Sequence, residues 1–206
     1  MKFPILLAIG CFALVGCSNA NTNPVRPEST TSVSSTGLTA SPSATAAVHP
    51  TPDAGFGFNG VVSGFPNGQV FVSGGGTFDL ATGFVRSSGG FSCLRDVLQG
   101  PLSMPKNANG PCLQGQGVRW DTAQLLPIAP NGFKCTGADA AKPATTDDHL
   151  VVLLADFYRA GDANDESFTA QMIVSDHDIA PGTPFAGSNL WVQGVGCGHA
   201  TVNFSN

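Results

Sequence analysis

Between residues 69 and 93 the chain reads QVFVSGGGTFDLATGFVRSSGGFSC. Two runs rich in Val and Phe flank the short turn-forming segment LATG, as the strands of a hairpin would. The same texture of short apolar stretches broken by Gly, Pro and Asn continues through GVRWDTAQLL, HLVVLLADFYR (149–159), ESFTAQMIV (166–174), NLWVQGVG and HATVNF. In the segment 166–174, Phe168, Ala170, Met172 and Val174 alternate imperfectly with Glu166, Thr169, Gln171 and Ile173, which predicts one buried and one mostly wet face. No long segment carries a helical apolar stripe, and only LRDVLQG after Cys93 has the pattern of a turn or two of helix. Regularly spaced short strands with this punctuation predict an all-β domain, either a β-sandwich or a barrel. Gly74-Gly75-Gly76 and Gly89-Gly90 then read as bulges or bends where a curved sheet needs close backbone approach.

Charged residues make up only 11% of the chain, against about 25% in ordinary soluble domains. Its surface must therefore be built from Ser, Thr, Asn, Gln and backbone. The net charge is −5 and the nine Lys and Arg are scattered singly, so a phosphate backbone is an unfavourable partner and nucleic acid is not expected. GFGFNG (55–60) has the glycine spacing of a dinucleotide-binding turn. It follows a Pro-rich stretch and runs into Val61-Val62, without the preceding strand and following helix that the chemistry requires. Asp79, at roughly the distance of a ribose ligand, is then a coincidence of a Gly-rich chain, and no nucleotide cofactor is expected.

The first residues, MKFPILLAIGCFALVGC, place Lys2 before an apolar run from Phe3 to Gly16. That run is shorter than the roughly 20 residues of a spanning helix and has the length of a signal-peptide core. It ends in Leu14-Val15-Gly16-Cys17, which resembles the lipobox of bacterial lipoproteins. The resemblance implies a signal peptide over 1–16, loss of Cys11 with it, and acyl chains on Cys17. Several chains anchor stably, because each buried methylene contributes about 0.8 kcal/mol. Ser18 lacks the aspartate that the family associates with inner-membrane retention, which implies the outer membrane where the envelope has two. From 17 to 52 the chain is rich in Ser, Thr, Pro and Ala, lacks aromatics, and shows no periodicity, so it is expected to be a disordered tether. The β domain is expected over 53–206.

Four cysteines remain after processing: Cys93, Cys112, Cys135 and Cys197. In an oxidising compartment they imply two disulfides with three possible connectivities. Pairing Cys93 with Cys112 closes a Gly/Pro/Asn-rich loop, and pairing Cys135 with Cys197 ties mid-domain to the last strands, which makes this the favoured arrangement. No spacing supports a zinc site.

Between Asp147 and Asp178 eight acids face only Arg159. In GDANDES, Asp162, Asn164 and Glu166 have the alternation of calcium ligands, although Ser167 and Ile173 stand where an EF-hand needs glycine and a carboxylate. A solvated turn is the simpler reading, and Ca2+ is the one cofactor this stretch suggests. Asp176, His177 and Asp178 form the most catalytic-looking triplet, since a carboxylate beside a histidine raises its basicity. SDHDIAPG also reads as a turn with Asp side chains capping amides, and no G-x-S-x-G elbow supplies a nucleophile. His149 and His199 read as strand-end residues. Trp120, Trp191 and Tyr158 would make a sugar-stacking platform if two of them were exposed on one face; otherwise they fill the core.

The stretches GVRWDTAQLLP, TDDHLVVLLADFYRAGDANDESFTAQMIVSDHDIAPGTP and NLWVQGVGCG resemble a group of secreted bacterial β proteins to which no activity is attached. The resemblance implies fold and compartment without a function. The combined expectation is a lipid-anchored envelope protein presenting a non-enzymatic β binding or structural module whose ligand the sequence does not identify, with a glycan or a protein as candidates. The alternatives are an extracytoplasmic hydrolase using His177 with nearby carboxylates, and a calcium-dependent binding module.

Overall fold

The computed structural model describes residues 54–101, 112–117, 119–158 and 168–205. The stretch expected to be a signal peptide, Cys17, the expected tether and the calcium candidates Asp162, Asn164 and Glu166 lie outside the described residues.

Eight strands follow one another in sequence: β1 (Ala54–Gly64), β2 (Gln69–Asp79), β3 (Phe84–Arg95), β4 (Arg119–Leu126), β5 (Leu150–Tyr158), β6 (Phe168–Ser175), β7 (Leu190–Val192) and β8 (Gly196–Ser205). Each pairs antiparallel with its neighbours in sequence, and β8 returns to β1 to close a barrel. The architecture is all-β, and of the two expected forms it is the barrel. GFGFNG is part of β1: its Phe residues point inward and its Gly55 and Gly57 outward, which is strand periodicity. LRDVLQG is not helical; β3 continues through Leu94 and Arg95, and Val97 bridges Cys112. Extended pairing there keeps the chain within reach of Cys112.

An eight-stranded barrel encloses a space just wide enough for side chains to fill. Here Phe56, Phe58, Val62, Val72, Phe78, Phe91, Trp120, Leu153, Phe157 and Met172 fill it from strands β1 to β6. Phe58 and Trp120 pack with centroids 5.9 Å apart, and Phe91 meets Phe157 edge-on at 5.1 Å. Trp120 is the largest fully buried side chain, and space for it comes from Gly74 and Gly89, paired across β2 and β3. A Cβ on Gly74 would collide with the indole ring, and one on Gly89 would come within 2.6 Å of its Nε1. The indole N–H donates to the Ser73 carbonyl at 3.1 Å, satisfying a donor that would otherwise be orphaned in the core. The register is regular at both glycine runs. The irregularities fall between Gln69 and Val70 and between Thr122 and Gln124 instead. The glycines are therefore not bulges. They are the close approach that admits a tryptophan.

Outside the barrel a second apolar layer forms, because the connection between β4 and β5 folds back over β5 to β8. Phe133, Cys135 and Ala144 of this strap cover Val152, Ile173 and Trp191, all buried. Ile173, which interrupts the alternation of β6, stands opposite Trp191 on the outer face and is buried by the strap. The apolar run LVVLL has the same cause: Val151 and Leu153 face the interior, and Leu150 and Val152 face the strap. Trp191 donates from Nε1 to the Lys134 carbonyl at 2.8 Å.

Cys93 is bonded to Cys112 and Cys135 to Cys197. The first pins the β3–β4 connection and the second pins the strap to β8. Their sequence separations are 19 and 62. In the chain-entropy account the longer loop restricts the unfolded chain more, by about 1 kcal/mol.

Two stability outcomes follow. Gly74→Ala is expected to cost about 1–3 kcal/mol through overpacking against Trp120, and adding Trp120→Leu should recover part of it, read as coupling in a urea-denaturation double-mutant cycle. Removing Cys135–Cys197 as a pair of alanines should lower stability by about 1 kcal/mol more than removing Cys93–Cys112 in the same assay.

Candidate functional site

On β8 the alternation that fills the interior sends polar side chains outward. His199, Thr201, Asn203 and Ser205 are exposed, while Val202 and Phe204 pack inward. This is the reverse of a membrane-spanning barrel, whose outer band is apolar. Any ligand surface in the described residues therefore lies on the outside or at the ends.

The proposed catalytic triplet lies in the turn after β6. Asp176 accepts from or pairs with two imidazoles, His149 Nδ1 at 2.7 Å and His177 Nδ1 at 3.2 Å. His149 comes from the end of the strap, so the carboxylate ties the strap to the β6–β7 turn. The Asp176 amide also donates to the His149 carbonyl at 3.1 Å. Asp178 does not join this group. It accepts from the Ala180 amide at 2.8 Å, while Ser175 Oγ accepts from the His177 amide at 3.1 Å. That is the capping behaviour of a turn.

Hydrogen bonding to Asp176, reinforced by its charge, holds the His149 imidazole above the ordinary histidine pKa. Partial burial works against ionisation of Asp176, but the hydrogen bonds from His149 and His177 outweigh it and its carboxyl lies below the ordinary value. Backbone amides of Gly187 and Ala180 lower Asp178 in the same way. A shallow cleft of about 270 Å³ beside this turn is lined by Phe133, Thr145, Asp147, His177, Asp178 and Ile179 among others, with no Ser or Cys among the described residues of its wall. Among the described residues no group of three His, Cys, Asp or Glu side chains is arranged to hold a metal ion.

The aromatic platform does not form. Trp120 is in the barrel interior, Trp191 lies under the strap on the other face of the wall, and only Tyr158 reaches the surface. Asp79 is no ribose ligand either: its carboxylate accepts from the Ala81 amide at 2.8 Å and from the Thr82 hydroxyl at 2.7 Å, capping the β2–β3 hairpin. His199 is exposed on β8 and lines a cleft with Phe185 and Ser188.

Sequence reasoning missed a second surface. Across the outer faces of β2, β3 and β4 run two adjoining clefts of about 330 and 350 Å³ that share Ser88 and Asp121. Their floor is the backbone of Gly75, Gly76, Gly89 and Gly90. The floor has a packing origin, since a Cβ on Gly75 would lie 2.5 Å from the Phe56 carbonyl. The clefts are thus a by-product of the close strand approach that seats Trp120. Their walls have no such origin. Arg86 and Arg119 are both exposed, and neither guanidinium has a carboxylate within ion-pair distance among the described residues. Ser88 stands opposite Asp121 in the β3–β4 ladder. The Tyr158 hydroxyl donates to Asp121 Oδ2 at 2.6 Å, which fixes that carboxylate and raises the phenol above its ordinary pKa. Nothing in the spacing of RWD or VRSSGG shows that these residues converge, because the convergence depends on the β3–β4 register.

No protein family, curated protein or solved structure matches the chain.

The histidine–carboxylate contact has a definite pH signature. His149 holds its proton more tightly folded than unfolded, so its contribution is complete below its unfolded value of 6.5 and fades as pH rises through the raised folded value. The contribution from Asp176 is present above its unfolded value of 3.8 and fades as pH falls through the lowered folded value. The pair therefore works best in the window between those two limits, and its effect on stability is small because the imidazole is largely exposed and the carboxylate partly so. Asp176→Asn is expected to move the His149 titration back toward 6.5, measured by NMR of the imidazole carbon-bound protons; an unchanged titration would refute the assignment.

Proposed function

We infer that the protein is a lipid-anchored envelope protein whose β-barrel is a binding module rather than a catalyst. The observation that carries the module reading is the division of labour across the barrel wall. Packed apolar side chains take up the interior, and the described clefts, with their polar side chains, are on the outer face. A catalyst would need a nucleophile or an activated water in a site that excludes solvent, whereas both imidazoles of the Asp176 cluster are more than half exposed. The anchor reading rests on Leu14-Val15-Gly16-Cys17 and on a domain braced by two disulfides, the mark of an oxidising compartment.

The second reading, a hydrolase using His177, is favoured by one contact. With its Nδ1 on Asp176, His177 leaves Nε2 available as a base beside the cleft that Asp178 and Thr145 also line.

The anchor is tested on chain expressed in a bacterium with its own signal sequence. Intact-mass spectrometry should find residues 1–16 removed and Cys17 carrying acyl groups, and Cys17→Ala should leave the membrane fraction. A mass without an acyl adduct, or a membrane association indifferent to Cys17→Ala, would refute it. For the hydrolase reading, esterase and glycosidase substrates turned over by the parent and not by His177→Ala would replace the module with an enzyme.

A further inference from the structure

The outer groove over β2, β3 and β4 has a pattern of side chains that a turn, a core or a solvated face does not explain. Along it come Arg86, then Ser88 beside Asp121, then Arg119, a sequence of donor, donor-acceptor pair and donor. Arg119 stands opposite Gly90, four residues along β3 from Arg86, so the two guanidinium groups are rooted roughly 13 Å apart along the strand direction. The groove between them is long enough for a chain of several units. Among the described residues neither cation is paired with an acid, and Asp121, which lies between them, is held by Tyr158.

From this we propose that the groove binds an extended polysaccharide strand. The inference rests on the reading of the domain as a binding module and assigns that module its site and ligand class. Three features of the wall choose this occupant over a peptide or a nucleic acid.

First, at the centre of the groove Ser88, Gly89 and Gly90 of β3 are paired with β2 on one side and with Arg119–Asp121 of β4 on the other, so no free edge is offered there for a peptide strand to extend. Second, recognition must then come from side chains, and these are planar groups suited to paired hydroxyls. A guanidinium donates two parallel hydrogen bonds and a carboxylate accepts two, so Arg86, Asp121 and Arg119 present complementary forks to the vicinal hydroxyls of successive sugar rings. Asp121 is already oriented by the Tyr158 hydroxyl at 2.6 Å, which lowers the entropy lost on binding. Third, the floor of glycine backbone lets a ring lie close to the sheet, and Asp121 together with the net charge of −5 disfavours a run of phosphates. The sugar face meets bare backbone instead of the tryptophans expected of such a site.

The test uses the purified full-length chain and three probes: cellohexaose, chitohexaose and hexagalacturonate, a neutral, an N-acetylated and an acidic strand. Saturation-transfer NMR titrations should show saturable binding of at least one. Arg86→Ala with Arg119→Ala should weaken that binding at least tenfold, and Asp121→Asn should weaken it as well, whereas His177→Ala, across the barrel, should leave it unchanged. Thermal melting of each variant checks that these exposed substitutions leave the fold intact. Absence of binding by all three probes at millimolar concentration overturns the proposal. Binding that survives the double arginine substitution also overturns it, but leaves the domain a binding module with its site elsewhere, so the two failures are told apart.

Discussion

The ladder that joins β8 to β1, running from Gly55 opposite Ser205 to Gly64 opposite Gly196, is the constraint on which the rest of the structure depends. Once the sheet is closed every strand has a partner on each side, over as few as three residue pairs between β3 and β4. Closure also fixes the diameter of the interior, and an interior of fixed size must be filled without voids or clashes. Trp120 fills much of it, and the cost of so large a side chain is met by removing two others, at Gly74 and Gly89. Sparse charge and abundant glycine are therefore two sides of one solution: close-set strands, a crowded aromatic interior and a surface with few long side chains.

That solution leaves the outer wall uneven, and the two halves of the barrel use it differently. Over β5 to β8 the strap adds a second apolar layer, locked to β8 by Cys135–Cys197 and tied at its end by His149 and Asp176. Over β2 to β4 nothing in the described residues covers the wall, and the glycine backbone lies bare between Arg86 and Arg119. A wall doubled on one side gains rigidity, while the uncovered side keeps its polar groups accessible. The proposed ligand surface sits on the side that packing did not need.

Much of the candidate chemistry that the sequence suggests turns out to be architecture. Asp79 and Asp178 accept hydrogen bonds from nearby amides, and Trp120 and Trp191 are buried with their indole N–H groups donated to backbone carbonyls. Each of these residue types suits two roles, and local sequence does not choose between them, because burial is set by strands distant in the chain. His149 and Asp176 illustrate the same limit from the other side. They are 27 residues apart and meet only because β5 and β6 are paired with Leu150 opposite Ser175.

What the sequence determined by itself was everything carried by local periodicity and by cysteine chemistry. Alternation with Gly and Pro punctuation selects short strands over helices, since a two-residue period cannot bury one face of a helix. Cysteine chemistry points to two disulfides in the domain, and of the three connectivities their spacing leaves open the favoured one is present. Only the tertiary structure decided that the sheet closes rather than stacking into a sandwich, that Ile173 and the LVVLL run serve a second layer outside the barrel, and that Arg86, Ser88, Arg119 and Asp121 share one groove. Those outcomes depend on register and on the path of the strap, and both are set by the sum of many weak contacts between residues that are remote in sequence.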